Sequence, residues 1–229
     1  MGDGSNSINY HRVGVIRENP MRCIYTADDQ GEIFIVSSSV FENRTDLKEG
    51  DCCVVDFKTN FSEELGNGVY NAEIYKYDSV AVWPLHETLT DTTTVLDKER
   101  LVTLDFKKSI YLEGRFFLQT RHVNHQVDQK DIFNLSYNPD QEVEKDDDGQ
   151  RIYNLYLRVT QEGGTGDSTK WVNTTAFTID KFLDQAKAIE SREGQNEINF
   201  KINYAERYNA DTTACVWGAT DVFTLRFTN

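Results

Sequence analysis

Apolar residues recur at every second position over most of this chain, and clusters of Gly, Asp, Asn and Ser separate the runs. Such a pattern predicts strands joined by turns. Residues 8–17, INYHRVGVIR, make a first strand in which Gly14 marks a bulge or sharp bend, and Pro20 ends it. A second strand covers 22–26 and a third 32–36, with Asp28-Asp29-Gln30-Gly31 as the hairpin turn between them. The period then breaks over Ser37-Ser38-Ser39-Val40-Phe41, and Leu47-Lys48-Glu49-Gly50-Asp51 turns the chain into 52–58, where Cys53, Val55 and Phe57 share a face. Gly66-Asn67-Gly68 leads into 69–82, where Tyr70, Ala72 and Ile74 alternate with polar neighbours. Five strands with a short crossing after the third predict an OB-fold barrel.

Beyond Trp83 the pattern restarts. The threonine-rich segment 86–97 reads as a short linker or first loop, so the boundary falls near Pro84. Strands follow at 101–107, 111–124, 131–138, 151–162, 170–179, 197–208 and 221–227; Ile198, Phe200, Ile202 and Tyr204 give the cleanest inward face. One helix interrupts them. Ile179, Phe182, Leu183, Ala186 and Ile189 share a stripe and Gly194 is placed to stop it, which predicts a packing helix over 180–193. The expected fold is therefore mainly β: a flexible leader at 1–7, a five-stranded barrel at 8–84, and a seven-stranded, immunoglobulin-like β-sandwich with one short helix at 85–229.

Composition supports the class and narrows the partners. The chain of 229 residues is long enough for two cores, and its 13 Phe and 11 Tyr favour strands. The net charge is −14, with 14 acidic and 7 basic residues before Pro84 and 24 and 17 after it, so each part carries −7. Neither part has the cationic surface that phosphate backbones require, which argues against nucleic acid as a partner. Cys23, Cys52, Cys53 and Cys215 form no spaced framework. Cys23 is placed to bridge Cys52 or Cys53 if their strands are neighbours, while buried free thiols fit the apolar surroundings better. No run of about 18 apolar residues is present to span a bilayer.

Candidate chemistry is sparse. His122-Val123-Asn124-His125 would place its imidazoles on opposite faces of a strand, and no third metal ligand is marked out. Asp146-Asp147-Asp148-Gly149 lacks the alternation and closing Glu of a calcium loop and reads as a hairpin tip. Gly163-Gly164-Thr165-Gly166-Asp167-Ser168-Thr169-Lys170 lacks the Gly-Lys-Ser/Thr ending of a phosphate loop and precedes a strand. There is no Gly-x-Ser-x-Gly elbow, so no catalytic residue, cofactor or metal is assigned. Trp83, Trp171 and Trp217 are the candidate site residues, either as a stacking platform for a ligand or as interdomain wedges, a role that suits Trp83 at the boundary.

The run from Ile33 to Phe41, the turn from Leu47 to Asp51 and the strand Val54-Val55-Asp56-Phe57 together resemble the N-terminal OB domain of the NigD-like family. Only the N-terminal third carries these motifs, while the order of elements agrees along the whole chain. The resemblance implies an envelope lipoprotein of the Bacteroidales, with an OB domain followed by a β-sandwich. It also implies that the Asp/Gly/Ser-rich start follows a lipidated cysteine, which would be the means of membrane association. The triplets starting at Asp78, Asp91, Asp167 and Asp211 are similar to the short O-glycosylation signal of exported proteins in that phylum. The expected role is a non-catalytic interaction or structural module of the cell envelope, in the periplasm or on the outer membrane surface. Its partner would be an envelope protein or glycan; the alternative is a carbohydrate- or peptide-binding accessory module.

Overall fold

The computed structural model describes residues 6–227 except 20, 29, 30, 43 and 148, and it leaves the side chains of 40 and 125–127 undescribed. The chain forms two compact units. In the first, β1 (Asn6–Arg17), β2 (Cys23–Ala27), β3 (Ile33–Ser37), β4 (Cys52–Gly66) and β5 (Val69–Val80) close a barrel in the order β1-β2-β3-β5-β4. Its single parallel contact among the described strands joins β3 to β5, which are separated in sequence by the short helix α1 (Ser39–Glu42) and by β4. The predicted alternation places Ile16, Ile24, Val36, Cys53, Val55, Phe57 and Ala72 in one buried interior, with Phe41 of α1 and Leu47 packed against them. Phe34 and Tyr70, two residues before Val36 and Ala72, stand 5.4 and 5.2 Å from the ring of Phe61.

Gly14 is not the bulge that the sequence suggested. The irregularity lies between Asn9 and Arg12, around His11 with its φ of 54°. Gly14 instead pairs regularly with Thr26 and Cys53, and a Cβ there would stand 2.5 Å from Ile24 Cγ2. Close approach of neighbouring strands, not curvature, requires the glycine. The Lys48–Asp51 turn forms as expected, with the Asp51 amide donating to the Lys48 carbonyl at 3.0 Å and Gly50 at φ 82°. β1 already includes Asn6 and Ser7 of the expected leader, while residues 1–5, like Pro20, Asp29 and Gln30, lie outside the described residues.

The first unit also takes in residues 107–117 and 174–176, which the linear boundary at Pro84 leaves on the other side. The sequence suggested one strand at 111–124. The structure has β9 (Ile110–Leu112) and β10 (Arg115–Val127), joined by Glu113 and Gly114, both at positive φ, in a tight hairpin. Leu112 and Phe117 of this hairpin, with Ala176, bury Val15, Ala27, Cys52 and Val80 on the outside of the barrel. Arg17 fixes the hairpin by donating to the Glu113 carboxylate at 3.2 Å and its carbonyl at 2.7 Å. Adjacent Cys52 and Cys53 therefore serve two cores on opposite faces, and all four cysteines are buried free thiols.

The remaining strands are β6 (Val82–Glu87), β7 (Glu99–Arg100), β8 (Thr103–Leu104), β11 (Lys130–Tyr137), β12 (Glu144–Lys145), β13 (Arg151–Glu162), β14 (Thr165–Thr178), β15 (Glu197–Tyr208), β16 (Cys215–Ala219) and β17 (Phe223–Arg226). The class is β, as expected, but the pairing is not that of a seven-stranded antiparallel sandwich. The path runs β16-β15-β13-β11-β6-β14-β10-β8, with β6 parallel to β11 and β13 parallel to β15. The expected strand at 101–107 shrinks to β8 and a 3-10 turn at Phe106–Lys108, while β16 arises where no strand was expected. The helix α2 (Asp180–Arg192) forms where its stripe placed it. Its Phe182, 1% exposed, meets Tyr137, Tyr153 and Phe200 edge-on at 5.2, 5.6 and 5.6 Å.

Candidate functional site

The three tryptophans all fall in the second unit and have different surroundings. Trp83 packs against Phe133 with ring centres 6.3 Å apart, and its indole Nε1 is buried without a partner. Trp217 meets Tyr156 edge-on at 5.7 Å, lies under the Arg158 guanidinium at 5.7 Å and donates Nε1–H to the Thr92 carbonyl at 3.1 Å. Trp171 is 52% exposed on β14, beside the equally exposed Val172. Only Trp171 offers an open aromatic face.

Trp217 belongs to a polar centre that the hydrophobic pattern did not reveal. Arg158 on β13 and Glu99 on β7 form a two-pronged ion pair, both contacts at 2.7 Å, with side chains 7% and 0% exposed. Arg158 also donates to the carbonyls of Asp91 at 2.5 Å and Thr94 at 2.7 Å. Glu99 accepts from the Leu96 amide at 2.9 Å and the Cys215 thiol at 3.3 Å. Burial alone would raise the pKa of Glu99, but these hydrogen bonds, led by Arg158, hold its carboxyl below the ordinary value. Burial and the bond to Glu99 push the Cys215 thiol up to about 11. The segment expected as a linker or first loop is therefore a loop strapped to the sheet through its own carbonyls. Within it, Asp91 accepts from the hydroxyls and amides of Thr94 and Thr93, which depress its pKa and give the Asp-Thr-Thr triplet a local structural role. Asp211 caps Thr213 in the same way. One signal for this centre was legible: Arg158 is a charged residue within the otherwise uncharged run from Ile152 to Gln161.

A second buried pair joins His122 Nε2 on β10 to Asp131 Oδ2 on β11 at 2.8 Å. Asp131 also accepts from Gln129 at 2.7 Å, which in turn accepts from Arg100 at 3.2 Å. Burial opposes ionisation of Asp131, and the bonds from His122 and Gln129 outweigh it to leave its pKa lowered. The side chain of His125, the other half of the His-x-x-His motif, lies outside the described residues. Among the described residues, no group of three or more His, Cys, Asp or Glu side chains is placed to hold a metal ion.

The remaining motifs are turns. Asp146 pairs with Gln150 and accepts the Gly149 amide at 3.0 Å in a hairpin tip, Asp148 being outside the described residues. Gly163 has φ 65°, and a Cβ there would stand 2.2 Å from the Asp128 carbonyl oxygen, so glycine is required by the turn before β14. A polar cleft of about 140 Å³ opens near the end of α2, lined by Lys145, Arg151, Glu190, Glu197 and Asn199 among others. Its buried carboxylate, Glu190, accepts from Arg151 at 3.0 Å and Tyr153 at 2.6 Å. Burial, reinforced by the bond to Glu190, pushes the Tyr153 hydroxyl up to about 12. Through its Oε1 this carboxylate ties α2 to β13, a packing role.

Residues 4–76 match the family model of the lipoprotein OB domain. Over the whole chain the fold is shared with an uncharacterized protein from Parabacteroides merdae: TM-score 0.75, 20% identity, 98% of this chain and 100% of that one covered. It is also shared with a candidate lipoprotein from Bacteroides fragilis, at TM-score 0.56 and 13% identity with 98% and 99% covered. A NigD-like immunity protein from Bacteroides caccae aligns at TM-score 0.55 and 16% identity, with 97% and 98% covered. No curated protein matches the sequence.

Proposed function

From an N-terminal domain that is a lipoprotein OB domain, we propose that this protein is a non-catalytic cell-envelope lipoprotein that acts as an interaction or structural module. The observation that carries the reading is the combination of that domain match with a two-unit fold shared end to end with a candidate lipoprotein of Bacteroides fragilis. The buried ionisable groups support it. Glu99 and Arg158 bind the strap, and Glu190 ties down α2, so each is committed to holding a segment. No helix among the described residues is long and apolar enough to cross a membrane, which suits attachment through a lipid. The test is expression of the complete gene in a Bacteroidales host, with radiolabelled fatty acid and membrane fractionation. Label incorporation and membrane recovery, both lost when the acceptor cysteine is replaced, are expected; an unlabelled protein in the soluble fraction would overturn the proposal.

One observation favours a second reading, a carbohydrate- or peptide-binding accessory module: Trp171 presents half its surface to solvent on β14. Exposed indole faces stack on sugars and apolar side chains. A glycan and peptide panel read by tryptophan fluorescence would show a saturable change that Trp171→Ala abolishes; an unchanged signal across the panel counts against this reading.

A further inference from the structure

Thr120, His122 and Asn124 occupy alternate positions of β10 and so project from one face of the strand. Thr120 is fully buried and His122 is 6% exposed. Thr120 Oγ1, His122 Nδ1 and Asn124 Oδ1 are each buried without a hydrogen-bond partner. Three such atoms in a row on one face are unusual, because a buried polar atom left unpaired costs about 1–3 kcal/mol. His122 Nε2 faces Asp131, which leaves Nδ1 as the ring's second polar atom in the row. Asn124 Oδ1 accepts, and the Thr120 hydroxyl can donate or accept. The row therefore asks for a small partner that can do both at each gap. Same-face positions on a strand lie about 6.8 Å apart, and a water bonded at about 2.8 Å to each of two neighbours spans about 5.6 Å. Metal is the poorer match, since no cluster of metal-ligating side chains forms among the described residues.

We propose that the buried face of β10 is a binding site for a file of ordered water molecules, bonded in turn to Thr120, His122 and Asn124. These waters hydrate the His122–Asp131 pair from the side that protein groups leave uncovered. The site is distinct from the exposed Trp171 and independent of lipid attachment.

A crystal structure of the intact chain at a resolution that places water is the direct test. Water peaks within about 3.2 Å of His122 Nδ1 and of at least one of Thr120 Oγ1 and Asn124 Oδ1 are expected. A dry row, or the same atoms paired with protein groups, would overturn the proposal. Thermal unfolding of Thr120→Val gives a second readout. If the hydroxyl holds water, the near-isosteric valine strands that water and lowers Tm by about 2–4 °C, with Thr120→Ser recovering part of the loss. If the hydroxyl is a dry orphan, valine removes an unsatisfied group and Tm rises, a result that also overturns the proposal.

Discussion

Arg158 and Glu99 illustrate how much of this molecule depends on single side chains. Removing Arg158 leaves a carboxylate with 0% of its side chain exposed and no counter-charge. Arg158→Met is expected to destabilise the protein by about 3–5 kcal/mol in chemical denaturation. Adding Glu99→Gln to that variant should recover part of the loss, because the stranded charge is gone; equal midpoints for the single and double variants would refute the account. At Gly14 the issue is space. Its missing Cβ leaves room for Ile24, which is 1% exposed, so Gly14→Ala should cost about 1–3 kcal/mol by the same measurement. Neither effect could be assigned from local sequence. A glycine within a strand signals a special position without saying whether the reason is a bulge or a close neighbour, and a strand arginine does not name its partner.

Elements form where local pattern and burial agree. β13 and β15 follow their expected ranges because each keeps one alternating apolar face, Tyr153, Leu155, Leu157 and Val159 in one and Ile198, Phe200, Ile202 and Tyr204 in the other, and both faces are buried. α2 follows its stripe because Phe182 fills the space among Tyr137, Tyr153 and Phe200. Phe182→Ala should therefore destabilise by about 3–5 kcal/mol, whereas Trp171→Ala on exposed β14 should change stability by less than about 0.5 kcal/mol; thermal scans of the two variants make the comparison. The hairpin of β9 and β10 was read as one strand, since the single glycine of Glu113-Gly114 does not by itself signal a reversal. Only the positive φ of both residues reverses the chain. The segment 86–97 was read as a linker or first loop for a similar reason: a polar, threonine-rich run looks solvated until the carbonyls of Asp91 and Thr94 are seen to meet Arg158.

For the whole molecule, stability should fall at both ends of the pH scale. Glu99 and Asp131 have lowered pKa values in the folded state. Their contribution is present above the ordinary carboxylate range, about 4, and is lost as pH falls through the folded values. The buried thiols act in the opposite sense. Burial pushes Cys52 and Cys215 up to about 11, so the fold favours their protonated forms. That contribution is complete below the ordinary thiol value of about 8.5 and is lost as pH rises from there towards about 11. Urea midpoints measured across pH should decline over both windows, and Cys215→Ala should flatten the alkaline limb. An alkaline limb unchanged in that variant would remove Cys215 as a contributor.

The periodicity of apolar residues by itself determined the β class, the barrel with a short crossing after its third strand and the stripe of α2, because each depends on which face of a short segment avoids water. The acidic surplus was equally legible, as was the resemblance of residues 33–57 to a lipoprotein OB domain, a likeness that the match over residues 4–76 bears out. Tertiary structure alone decided that the β9–β10 hairpin covers the barrel's outer face, that strands beyond the barrel pair in parallel as well as antiparallel, and that Arg158 gathers the strap. It also decided that Trp217 is built into that centre while Trp171 stays open. These features join residues many tens of positions apart. A hydrophobic period records that a side chain is buried, but the neighbour that buries it is chosen only when the chain closes on itself.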